Sequence, residues 1–190
     1  MSAFTLKLIA LVTMIIDHVG AIFFPQFIWL RYIGRLSMPI YAFLLVQGYM
    51  HTRNFNRYAL RMGIFALLSE VPYDLLFQGT WLEFQRQNIL FTFLTALFVV
   101  KLLDASAKSR NIFMFIGAVI LTILPYFLHF SYGVYGVLTV LCFYLFQKYR
   151  GIDAVAFAAL TYGQYTQDGN TTQLYAIAAA IPVLLYNGKR

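Results

Sequence analysis

One cysteine, seven acidic residues and five prolines in 190 positions remove several classes of protein at once. Cys142 stands alone inside an apolar run, so neither an intramolecular disulfide nor a cysteine metal motif is available. It reads as a small residue facing the core or lipid. Charged residues make up only 11% of the chain against 61% hydrophobic, which leaves no material for a separate extramembrane domain. No phosphate loop, G-x-S-x-G, H-E-x-x-H or dinucleotide fingerprint is present, so nucleotide hydrolysis and metal-dependent proteolysis are poorly supported and no metal is expected. No internal repeat or low-complexity tract occurs. The first apolar stretch is interrupted by Asp17-His18 and lacks a small-residue cleavage pattern after it, so it is expected to stay in the mature protein.

What the chain has is apolar runs of spanning or near-spanning length. Between polar or turn-forming connectors they predict helices over 6–24, 31–50, 58–77, 87–103, 111–130, 132–147, 152–165 and 173–187. The last three are short for a span, and the tight connector at Ser131 predicts an antiparallel hairpin. The expected fold is all-α: a polytopic transmembrane bundle of about eight helices forming a single domain over 1–190.

The net charge of +7 does not point to nucleic acid, because Lys and Arg collect in short connectors. Lys7, Arg53, Arg57, Arg61, Lys101, Lys108, Arg110, Lys148, Arg150, Lys189 and Arg190 fall at the N-terminal end, at even-numbered connectors or at the C-terminus. Only Arg31, Arg35 and Arg86 fall on the other side. The positive-inside rule then places both termini in the cytoplasm. Tyr126, His129, Tyr132 and Tyr135 surround the opposite turn, where an aromatic belt is expected.

Against this background Asp17 and His18 are costly. An ionisable group in a spanning helix costs about 2.5–3.5 kcal/mol on insertion scales, so it tends to face a protein interior and mark a path or site. Adjacent helical side chains diverge by about 100°, so Asp17 is poorly placed to orient His18 and each needs its own partner. The i±3 and i±4 neighbours of His18 offer no side-chain hydrogen bond, which leaves a group on another helix, a substrate or a nearby carbonyl. Burial favours the neutral imidazole, the form a general base needs. Asp17 has Thr13 and Gly20 along its face, where an arginine can approach.

Arg31 and Arg35 share a helix face, as do Glu70 and Asp74. The matched spacing permits a two-rung ion-pair ladder, either as structural glue or as part of a cavity. Pro39 and Pro72 each leave a carbonyl four residues earlier without its donor and are expected to loosen the helix near Arg35 and between Glu70 and Asp74. His51-Thr52-Arg53-Asn54 leads into Arg57 and Arg61. If the third helix begins early, Arg53, Arg57 and Arg61 form one basic stripe, suited to anionic lipid headgroups or to a phosphate-bearing cofactor.

Four segments together resemble the TraX family, named for a conjugal-transfer protein associated with N-terminal acetylation of pilin. They are Leu6–Ala10 with Ile16–Gly20, Leu30–Ile40, Gln47–Asn54 and Glu70–Leu75. Asn88–Thr92 and Tyr132–Gly136 carry the likeness more weakly, and the last fifty residues hardly carry it. Relatives often have Glu before His51 where this chain has Gln47. The family is also similar to transmembrane acyltransferases that use cytoplasmic acyl-CoA and an intramembrane histidine.

The resemblance implies an acetyltransferase of the bacterial inner or plasma membrane, with acetyl-CoA as donor and pilin or another amine or hydroxyl as acceptor. His18, Asp17 and Arg35 would form the catalytic group. Arg31, Glu70 and Asp74 would meet the acceptor, and His51, Arg53, Arg57 and Arg61 would hold the CoA phosphates. A kinked or water-filled interior is then needed to connect the cytoplasmic donor site with His18. Two other readings compete: a small proton- or cation-coupled transporter using the intramembrane charges as a relay, and a non-enzymatic assembly factor for a pilus or secreted protein.

Overall fold

The computed structural model describes residues 1–190 except Leu82, Arg150 and Arg190. Two of the basic residues assigned above to the cytoplasmic side, Arg150 and Arg190, therefore lie outside the described residues. Helices dominate, and among the described residues the β structure is one isolated bridge, between Gln87 and Phe130. The order is α1 (Ala3–Ile22), α2 (Ile28–Gly34), α3 (Ser37–His51), α4 (Phe55–Phe77), α5 (Ile89–Ser109), α6 (Ile112–Phe127), α7 (Gly133–Phe146) and α8 (Ile152–Asp168). A short α9 (Thr171–Leu174), a 3-10 turn (Tyr175–Ala179) and α10 (Ala180–Leu184) follow.

Local chemistry explains where the helices begin and end. Ser2, Asn54, Asn88 and Asn111 each accept a backbone N–H from the first turn of the helix they precede, satisfying a donor that has no partner within the helix. Gly169, with φ 66°, closes α8 in the left-handed region, which a residue without Cβ enters without strain. The run expected as one helix over 31–50 is divided into α2 and α3 at Arg35-Leu36. Its apolar pattern is continuous there, but Pro39 offers no N–H to the Arg35 carbonyl and fits best in the first turn of a new helix. The Ser37 hydroxyl donates to the Gly34 carbonyl at 2.9 Å, tying off the end of α2. Pro72, by contrast, lies inside α4, which continues through it to Phe77.

The chain divides into two compact units, one of residues Met1–Val46 with Cys142–Arg190 and one of residues Gln47–Leu141. In the first, α1 packs on α2, and α8 packs on the short helices after it. Phe143 lies between Phe43, edge-on at 5.6 Å, and Phe157, stacked at 5.4 Å. Tyr32 of α2 stacks on Tyr175 at 4.0 Å. In the second unit α5 packs against both α4 and α6. The connector between α6 and α7 bonds to the segment before α5, where Gln87 N–H donates to the His129 carbonyl at 3.1 Å and Ser131 N–H to the Gln87 carbonyl at 3.0 Å.

Large apolar side chains remain exposed over much of the surface. On α6 only Ala118 and Pro125 are buried, while Phe113, Ile120 and Phe127 are open. Among the described residues two helices, Ala3–Ile22 and Ile89–Ser109, are long and apolar enough to cross a membrane; Ile112–Phe127, Gly133–Phe146 and Thr171–Leu184 are apolar but shorter.

Candidate functional site

In the first unit Asp17 is the centre of a three-residue cluster. Arg31 donates through Nη1 to the Asp17 Oδ2 at 2.9 Å and to the Asp17 carbonyl at 3.0 Å. One turn later, Arg35 Nη2 reaches Oδ1 at 3.3 Å and Oδ2 at 3.5 Å. The Asp17 and Arg35 side chains are 15% and 13% exposed, and Arg31 is 28% exposed. Two guanidinium groups thus converge on one carboxylate in a poorly solvated place, an arrangement of cations that suits stabilisation of developing negative charge.

The approach of α2 to α1 depends on two missing side chains. A Cβ on Gly34 would overlap the Asp17 carboxylate and Cβ, and one on Gly20 would press on Leu30. Gly34→Ala is therefore expected to lower stability by about 1–3 kcal/mol. Gly63 in α4 is the internal comparison, because a Cβ there meets only Leu94 at 3.7 Å and alanine is the better helix former. Thermal unfolding of the two variants in detergent should separate them, and equal midpoints would refute the close fit at Gly34.

His18 is half-buried on α1. Its Nδ1 lies 2.8 Å from the Met14 carbonyl, four residues back on the same helix. A carbonyl can only accept, so Nδ1 carries the proton in the neutral ring and Nε2 carries the lone pair. That is the backbone partner anticipated as one alternative, and it fixes the tautomer. His51, the last residue of α3, makes the same contact with the Gln47 carbonyl at 2.8 Å.

Within the first unit the guanidinium groups of Arg31 and Arg35 meet Asp17. Glu70 and Asp74 belong to the second unit and have partners there. Glu70, 7% exposed, accepts at Oε2 from the Asn88 backbone N–H at 3.1 Å and from the Asn88 side-chain amide. Fully buried Asp74 accepts at Oδ2 from Glu83 N–H at 2.8 Å. The remaining oxygens, Glu70 Oε1 and Asp74 Oδ1, are buried without a hydrogen-bond partner.

At the start of α4 the basic residues divide. Asn54 accepts Arg57 N–H at 3.0 Å and so begins the helix after Arg53, which removes Arg53 from the expected stripe. An open cavity of about 400 Å³ is lined by Thr52, Asn54, Arg57, Leu60 and Arg61. A neighbouring one of about 290 Å³ is lined by Tyr49, Met50, Thr52, Arg53, Phe55, Lys101, Asp104 and Lys108. His51 lines neither of these two.

The profile of the family described as TraX protein matches residues 2–190. The chain belongs to the TraX family. It is 28% identical over 177 residues to a "Probable fimbrial assembly protein FimC, serogroup H1" of Dichelobacter nodosus, a match covering 85% of this chain and 69% of that protein. It is 31% identical over 85 residues to an uncharacterised protein of Rickettsia prowazekii, strain Madrid E, covering 45% of this chain and 31% of the relative. No solved structure matches.

Within this TraX-family chain, the segments that carried the resemblance supply Asp17, His18, Arg31, Arg35, Glu70 and Asp74. Two sets of neighbours were missed from sequence. Asn88 both caps α5 and holds Glu70; the signal was an Asn immediately before an apolar run. Lys101, Asp104 and Lys108 join Arg53 through their i, i+3, i+7 spacing on one face of α5, a stripe hidden because the two lysines were counted only as connector charge and Asp104 was not considered.

Proposed function

We propose that this protein is an integral-membrane acyltransferase of pilus or fimbrial assembly, transferring acetyl from cytoplasmic acetyl-CoA to an amine or hydroxyl. The observation that carries the proposal is the His18 Nδ1 contact with the Met14 carbonyl, which orients the ring and sets its tautomer on the same helix as the Asp17 cluster. The long apolar α1 and α5 and the exposed apolar surface support placement in a bilayer.

In the reaction, Nε2 takes the proton of the acceptor as its nitrogen or oxygen attacks the thioester carbonyl. Negative charge develops on the carbonyl oxygen, and the cationic Arg31–Asp17–Arg35 cluster, Arg35 above all, offers stabilisation. The tetrahedral intermediate collapses, the C–S bond breaks, and the imidazolium returns a proton to the departing thiolate. Acetylated acceptor and free CoA result. Glu70 and Asp74 are assigned to acceptor recognition, and Arg53, Arg57 and Arg61, with His51 nearby, to the CoA phosphates.

Purified protein in neutral-lipid nanodiscs should move a labelled acetyl group from acetyl-CoA to a peptide amine, and cellular proteins should lose an added acetyl mass when the protein is deleted. The name of the Dichelobacter relative favours one second reading, a non-enzymatic assembly factor. A stable stoichiometric complex with a pilus subunit, with no acetyl transfer and no acyl-CoA binding, would select it.

A further inference from the structure

We propose that the smaller cavity beside α5 is a phosphate monoester site, distinct from the Arg57–Arg61 surface. Lys101, Asp104 and Lys108 lie along one stripe of α5, and Arg53 joins them from the turn before α4. The floor is aromatic and rigid. Phe55 packs edge-on against Phe98 at 5.5 Å and against Tyr49 at 6.1 Å. Lys101 Nζ sits 5.2 Å from the centre of the Phe55 ring, a contact that restrains a flexible ammonium. The Tyr49 hydroxyl donates to Asp104 Oδ2 at 2.6 Å.

Charge selects the ligand class. Three cations face one carboxylate, an excess of two positive charges. A phosphate monoester carries about −1.5 to −2 at pH 7, which matches that excess, whereas a diester carries one charge and leaves part of it uncompensated. Lys108 lies in the last turn of α5, where the helix dipole also favours a cation. That structural benefit does not account for Arg53 and Lys101 opening onto the same space. The cavity, about 290 Å³, has room for a phosphate and part of the group that bears it.

Thr52 lines both cavities, so they adjoin, and a ligand with phosphates at two places can occupy both. If the acyl-CoA reading holds, the monoester is the 3′-phosphate of CoA and the Arg57–Arg61 surface takes the diphosphate; this identity rests on that reading. The same chemistry is offered by a phosphatidic acid headgroup.

The test uses full-length protein in phosphatidylcholine nanodiscs and titrates adenosine 3′,5′-bisphosphate and ADP. A parallel arm measures enrichment of phosphatidic acid over phosphatidylcholine around the protein. The double variant Lys101→Gln/Lys108→Gln should weaken bisphosphate binding at least tenfold and change ADP binding less than threefold, while Arg110→Gln changes neither. Loss of phosphatidic acid enrichment alone assigns the site to the lipid headgroup. Retention of both nucleotides together with unchanged phosphatidic acid enrichment in the double variant, or a parent protein that binds neither nucleotide and shows no enrichment, overturns the proposal. Because the readout is binding, failure of acetyl transfer leaves this result intact, and an active enzyme with an unaltered double variant refutes only the site.

Discussion

His18→Ala lowers acetyl transfer from acetyl-CoA by about 10²–10⁴-fold, the usual contribution of a positioned base, while the protein stays folded. The side chain is half-buried, and its Nδ1 bonds the Met14 carbonyl of its own helix. His18→Gln is the sharper variant. Glutamine is close in reach but has no nitrogen that titrates near neutrality, so a structural role predicts recovery and a base predicts none. Full turnover in His18→Ala would remove the residue from the chemistry.

Asp17→Asn has the largest expected effect on stability. Removing one partner of a buried ion pair costs about 3–5 kcal/mol, because a desolvated charge is left without compensation. Here two guanidinium groups share the carboxylate, but Arg31 is more than a quarter exposed, so the lower end of that range applies. The triple variant Asp17→Asn/Arg31→Gln/Arg35→Gln should regain much of the loss, since it removes both guanidinium charges together with the carboxylate they share. Denaturant titration in mild detergent measures both. If Asp17→Asn unfolds at the same midpoint as the parent, the cluster is solvated and its electrostatic role in the proposed reaction fails with it.

The helical segments were legible because hydrophobic runs and turn residues act locally. The caps at Asn54, Asn88 and Asn111 are equally local, but the predicted helix starts were placed on hydropathy without them. The division of α2 from α3 was not legible from hydropathy, since Leu36, Met38 and Ile40 continue the pattern. Only the missing donor of Pro39 signalled it, and a proline indicates weakness near a carbonyl without saying whether the helix bends or stops. An arginine beside Asp17 was foreseeable from the room around Gly20. That both arginines converge there was not, because i, i+4 spacing says which residues share a face and nothing about the helix opposite. The basic residues near α4 show the same limit: one asparagine cap moved Arg53 off the stripe and into the company of residues fifty positions away.

The Asp17 cluster also fixes a register. Arg31 and Arg35 are one turn apart, so sliding α2 along α1 by about 5.4 Å would bring an equivalent guanidinium to the carboxylate, and charge alone would be indifferent to the step. Steric shape is not indifferent. The slide would carry Leu30 into the place of Gly34, where even a methyl group collides with Asp17. A pair of arginines that looks like the teeth of a ratchet is thus held at a single notch by the one residue between them that has no side chain.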